Sequence, residues 1–276
     1  MTRFDNYLIV DWSAASVPKT GPDSICYCML RRYARPIAAN PATRAQAEGE
    51  IRELLANARG STLCGFDFPL GYPAGSGAKW RAVWRAIAHT IHDAKDNANN
   101  RFAVAAEWNR RLDGEGPFWG CPRGVAIPNL SPRKPAQQTI AERRLCERTM
   151  RRMQPVWKLY GAGSVGSQAL TGIPCVWRLR KSAALRKIAR VWPFETSLAC
   201  PIEPRVIFAE VYPSMVPPKP RRGEFKDQAQ VRSLAQHFAA LDEKGELVPM
   251  FAGSPLLSRA ERQIVIRQEG WVLGVV

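Results

Sequence analysis

The chain has 276 residues, 46% of them hydrophobic, with 9 Trp and a formal net charge of +16. This composition excludes a disordered or fibrous chain and suffices for one sizeable core or two smaller ones. The basic excess favours a polyanionic partner, nucleic acid or a phosphorylated small molecule. The 7 Cys form no C-x-x-C pair or zinc-finger spacing, so they read as buried thiols of a reducing compartment. No apolar run is long enough for a signal peptide or a membrane span, which predicts a cytoplasmic protein without a membrane partner.

Tyr7 to Val10 is an unbroken apolar run, read as a strand buried on both faces, and it ends in Asp11. After a turn-rich stretch, Ser24–Arg32 alternates as a second strand that returns as a hairpin, and a short third strand follows over Tyr33–Ala38. Thr43–Ala58 reads as a helix, with Thr43 as its cap, an apolar face of Ala47, Ile51, Leu54, Leu55 and Ala58, and Gly60 as its stop. Thr62–Phe66 is a fourth strand and runs into Asp67, so the helix crosses over between strands of one sheet.

Lys79 to Leu112 has a helical pattern, and His89 and His92 lie one turn apart within it, a metal pair only if a third ligand joins them. Asp113–Gln138 is a long proline-rich loop carrying Trp119, Arg123, Arg133 and Lys134. Ile140–Met153 reads as a basic helix with Arg143, Arg144, Arg148, Arg151 and Arg152, either a solvated face or a phosphate-tracking one. Gly161, Gly163 and Gly166 match G-x-G-x-x-G, but no acid follows at the distance a dinucleotide site needs. A glycine turn opening a helix can still present N–H groups to a phosphate, which makes Gly161, Gly163, Ser164 and Gly166 candidate phosphate contacts; the alternative is a tight structural turn.

Val206–Ala209 is another buried strand, ending in Glu210. A helix from Phe225 to Leu241 places Asp227 in its first turn, one turn before Val231 on the face that packs on the sheet. The apolar ending, Glu269 to Gly274, is predicted to dock on the domain. Asp11, Asp67 and Glu210 at strand ends, with Asp227 facing them, form an all-oxygen set suited to Mg²⁺ or Mn²⁺. Two such ions align water, phosphorus and leaving oxygen for phosphodiester hydrolysis, which makes all four acids candidate catalytic residues. The competing reading has them capping turns and pairing with arginines.

Ile9-Val10-Asp11-Trp12-Ser13, Gly65-Phe66-Asp67-Phe68-Pro69 and Ala209-Glu210-Val211-Tyr212-Pro213-Ser214 resemble a bacterial family of unknown function classed as predicted nucleases of the ribonuclease H-like fold. The Tyr160–Leu170 glycine segment and the Glu269–Val275 ending add to the resemblance, which spans most of the chain. It implies an α/β fold with a mixed five-stranded sheet flanked by helices, in a single domain over 1–276. A large, mainly helical insertion over about 72–200 would separate the fourth and fifth strands. It also implies metal ligation by Asp11, Asp67 and Asp227. Two further readings stand beside the nuclease: a nucleotide-binding protein of the actin-like kinase type, using the glycine segment, and a catalytically silent nucleic-acid-binding or cofactor-biosynthesis accessory protein.

Overall fold

The alternating and continuous apolar runs form a mixed sheet in the computed structural model, which describes residues 2–75, 79–112, 116–136 and 139–276. Strand β1 (Asn6–Asp11) pairs antiparallel with β2 (Cys26–Arg31), and β2 with β3 (Ala34–Ala39). Helix α1 (Arg44–Asn57) is capped by the Thr43 hydroxyl, which accepts from the Gln46 N–H, and leads to β4 (Thr62–Phe66), parallel to β1. Helices α2 (Trp80–Thr90), α3 (Arg101–Arg111), α4 (Leu145–Thr149) and α5 (Val165–Lys181) follow, then β5 (Ala189–Val191) and β6 (Val206–Glu210). Helix α6 (Lys226–Glu243) and the short α7 (Leu247–Met250) and α8 (Arg259–Ile264) complete the chain. The sheet order is β3-β2-β1-β4-β6-β5.

The sheet therefore has six strands rather than the five expected. The added one, β5, comes from the stretch expected to be mainly helical and pairs parallel with β6 at the sheet edge. Three residues are too short for an alternation signal to be read in a sequence. The helix expected over Lys79–Leu112 breaks in two. Its polar middle makes local bonds that compete with a helix: the Asn100 side chain accepts from the His92 N–H, and Asn97 takes φ +73°. Arg44 clamps this break, pairing with Asp93 and donating to the Asn97 carbonyl. The basic helix expected over Ile140–Met153 shrinks to α4, because the sequence turns inward at Arg144. Of the proline-rich loop, 113–115 and 137–138 lie outside the described residues.

Pleating sorts the strand side chains into two cores. Leu8, Val10, Cys64, Phe66 and Phe208 pack with α1, α2 and α5 on one face. Tyr7, Ile9, Leu63, Ile207 and Ala209 pack with α6 and the C-terminal segment on the other. Trp271, Val272 and Leu273 are fully buried there, and the Leu273 N–H donates to the Glu210 carbonyl, so the ending docks as the sequence suggests. All seven cysteines are free, six of them buried. Among the described residues no helix is long and apolar enough to cross a membrane.

Two helical glycines test this packing in opposite directions. A Cβ on Gly49 meets nothing within 4 Å, whereas one on Gly172 would stand 2.3 Å from the Phe68 ring. Gly49→Ala is expected to stabilise the protein by about 0.5–1 kcal/mol through helix propensity. Gly172→Ala is expected to lose about 1–3 kcal/mol to overpacking, despite the same propensity gain. Denaturant unfolding of the two variants measures both signs.

Candidate active site

The parallel register of β1 and β4 builds the site. Val10 stands opposite Phe66, so the next residues, Asp11 and Asp67, leave the ends of adjacent strands toward the same face. Open α/β sheets place their ligands at these carboxyl ends. The Asp67 N–H still donates to the Val10 carbonyl at 3.2 Å, and the Trp12 N–H donates to Asp67 Oδ1 at 2.8 Å. Trp12 is held in turn by its indole N–H on the Thr171 hydroxyl and by Gln168, whose side-chain amide donates to its carbonyl. Asp67 is thereby locked to β1 and to α5.

The Asp11 and Asp67 carboxyls lie within hydrogen-bonding reach of each other, an interaction that raises Asp11 and lowers Asp67. Among the described residues neither carboxyl has a Lys or Arg partner. Burial pushes Asp11 well above the usual carboxylate range, and the charges of Asp67, Asp227 and Asp23 push it further. Asp67 rises to about 7, chiefly through burial, with the Trp12 and Asp11 hydrogen bonds working against the rise.

Asp227 lies in the first turn of α6 as expected, but it does not cap that helix. Its Oδ2 accepts from the Asp23 N–H at 2.8 Å, which draws the β1–β2 connection over the site. Asp227 and Asp23 bear on Asp11 through their charge. Among the described residues no three His, Cys, Asp or Glu side chains stand close enough to share one metal ion. The arrangement is thus a contacting pair, Asp11 and Asp67, with Asp227 in electrostatic range. The donor set fits a hard divalent cation: it is all carboxylate, and among the described residues neither Asp11 nor Asp67 is ion-paired.

Glu210 does not join this site, which corrects its assignment as a catalytic acid. It stands in register with Phe66, one residue short of Asp67, and the pleat turns it to the opposite face. There Arg144 grips it in a two-point ion pair at 2.6 and 2.7 Å, and the Leu70 N–H donates to it. The same guanidinium pairs with Glu147 and donates to the Glu269 carbonyl. The Glu269 carboxylate accepts from the Ala74 and Leu145 N–H groups. Arg144 is 1% exposed, so it is neither a solvated nor a phosphate-tracking residue. It ties β6, α4, the loop after β4 and the C-terminal segment together.

The glycine segment precedes α5, and most of its geometry answers packing. Gly161 and Gly163 take φ of +93° and +70°. A Cβ on Gly166 would lie 2.3 Å from the Val156 carbonyl oxygen. The Gly166 N–H donates to Lys158 and the Ser164 N–H to Gly161, so neither amide is free for a phosphate. Val165 at the start of α5 does line the same cleft as Asp67. His89 and His92 are both exposed, and among the described residues no third ligand joins them.

Sequence reading missed three participants. Asp23 sits in a Gly-Pro-Asp turn that shows only as turn chemistry, and it adopts φ +54°. The Trp12 N–H and the Arg144 side chain act through contacts distant in sequence. No family model, no curated protein and no solved structure matches the chain.

Two stability measurements follow. A carboxyl whose folded pKa lies above its unfolded value stabilises below the unfolded pKa and loses that contribution as pH rises through the folded one. With Asp67 going from 3.8 to about 7, the metal-free protein is expected to lose stability between those values. Asp11→Asn removes one of the two raised carboxyls and is expected to lose less stability than wild type over that rise in pH, as seen by urea unfolding at several pH values. Arg144→Ala leaves buried carboxylates uncompensated and is expected to cost about 3–5 kcal/mol.

Proposed function

We propose that the chain is a divalent-metal-dependent nuclease of the ribonuclease H-like class, hydrolysing phosphodiester bonds of DNA or RNA with Mg²⁺ or Mn²⁺. The observation that carries this reading is the Asp11–Asp67 pair, two interacting carboxyls at neighbouring strand ends that have no Lys or Arg partner among the described residues. Support also comes from the mixed sheet, with one acid at the end of its first strand and another just past its fourth, the layout that the sequence resemblance implies. A net charge of +16 supports a polyanionic substrate.

On this reading Asp11 and Asp67 hold the cation, and the Trp12 N–H keeps Asp67 aimed. When bound, the ion supplies charge neutralisation and polarisation of a phosphoryl oxygen. Asp227 has one oxygen on the Asp23 N–H and the other available to a cation or to the proton of an attacking water. Glu210 takes no part in the chemistry; with Arg144 it sets the position of the cleft wall.

The second reading, nucleotide binding of the actin-like kinase type, draws on Val165, which brings the start of α5 to the same cleft. The two separate in one experiment: hydrolysis of bis(p-nitrophenyl) phosphate and of labelled oligonucleotides, with Mn²⁺, with Mg²⁺ and with chelator. The nuclease reading expects metal-dependent cleavage that falls by more than about 100-fold in Asp11→Asn and in Asp67→Asn, larger than the loss from outer-sphere partners. Full activity in either variant would contradict it. Thermal stabilisation by ATP without any cleavage would favour the kinase-type reading.

A further inference from the structure

Asp67 lines a small cleft at the strand ends. Tyr212 forms one of its walls, together with Pro69, Gln154 and Val165. The same Tyr212 is also a wall of a second, more open groove, whose other sides come from Met150, Arg151, Arg152 and Ser214. Tyr212 therefore stands between the cleft at Asp67 and a groove that carries two arginines. Tyr212 is half-buried, and among the described residues its hydroxyl has no hydrogen-bond partner. Its backbone is fixed from both sides: the Val211 N–H donates to Phe66, and the Met215 N–H to the Tyr212 carbonyl.

Arg151 and Arg152 are both exposed, and among the described residues neither has a carboxylate or hydrogen-bond partner. Other exposed arginines, Arg52, Arg85 and Arg123 among them, are equally unpaired; Arg151 and Arg152 are set apart by sharing one groove with Tyr212, which also walls the Asp67 cleft. Two adjacent guanidinium groups there are arranged for a chain that carries negative charge at intervals. A lone mononucleotide at the acid pair would leave the arginines unused.

We infer that this groove carries a single-stranded nucleic acid into the acid-pair cleft, with phosphates on Arg151 and Arg152 and one base stacked on Tyr212. The inference rests on the nuclease reading and adds the strand form of its substrate. Single-strandedness follows from the ring: a duplex already uses both faces of its bases, whereas an unpaired base has a free face for an aromatic side chain. Phosphate contacts of this kind make binding salt-dependent, each adding roughly 0.7 to the slope of log K against log salt on single strands.

The test is fluorescence-anisotropy binding of labelled oligothymidylate, oligouridylate and a DNA duplex of equal length to the full chain in chelator, across a salt series. Single strands are expected to bind more tightly than the duplex, and the thymidylate and uridylate arms distinguish DNA from RNA. Arg151→Ala/Arg152→Ala should lower the salt slope by about 1 to 2. Tyr212→Ala should weaken binding by roughly 5- to 150-fold, while Tyr212→Phe retains it. Tighter duplex binding, or affinity and slope unaltered by these substitutions, would overturn the inference. Failure of the nuclease reading shows separately, as wild type that binds single strands in this pattern yet cleaves nothing with either metal.

Discussion

Two interacting carboxyl groups at the ends of adjacent parallel strands, without a Lys or Arg partner among the described residues, are the constraint around which this molecule is arranged. Burial disfavours the charged form of both carboxyls: it carries Asp67 up to about 7, and with the charge of Asp67 beside it Asp11 stands well above the usual carboxylate range. The surroundings preserve this state rather than relieve it. Trp12 fixes Asp67 from β1, α5 fixes Trp12, and the Asp23 backbone brings Asp227 over the pair. A site that stores negative charge at a cost to stability is the kind found where function requires it.

The opposite face shows how the fold treats acids that serve structure. Glu210, Glu147 and Glu269 are buried more deeply than Asp11 or Asp67, yet each has its donors: Arg144 for the first two, and the Ala74 and Leu145 amides for the third. Burial alone therefore does not separate the two groups of acids. Arg144 answers Glu210 and Glu147, two backbone amides hold Glu269, and the pleat decides on which face Asp67 and Glu210 fall. One residue of register sends Asp67 to one face and Glu210 to the other.

Much of this was legible in the chain. The β1, β2 and β4 runs, the Thr43 cap, the apolar stripe of α6 and the docked ending all rest on local periodicity and turn chemistry, which a sequence displays directly. The three acids that gather electrostatically, Asp11, Asp67 and Asp227, were also nameable from strand ends and helix phase. What was not legible depends on long-range pairing. Glu210 looked equivalent to Asp67 because both end a buried apolar strand; only the inter-strand register distinguishes them. Arg144 looked like a member of a basic surface helix because its carboxylate partner lies 66 residues further on. The split of the expected helix at Asp93–Asn100 and the short edge strand β5 were hidden by the same kind of tertiary bonding.

The most direct measurement is a calorimetric titration of Mn²⁺ into the metal-free protein at neutral pH, wild type against Asp11→Asn. The account predicts saturable binding to wild type that the single side-chain change removes, with both proteins folded. Equal binding by the two, or no binding by wild type with or without an oligonucleotide present, would contradict it and leave the acid pair as a strained structural contact.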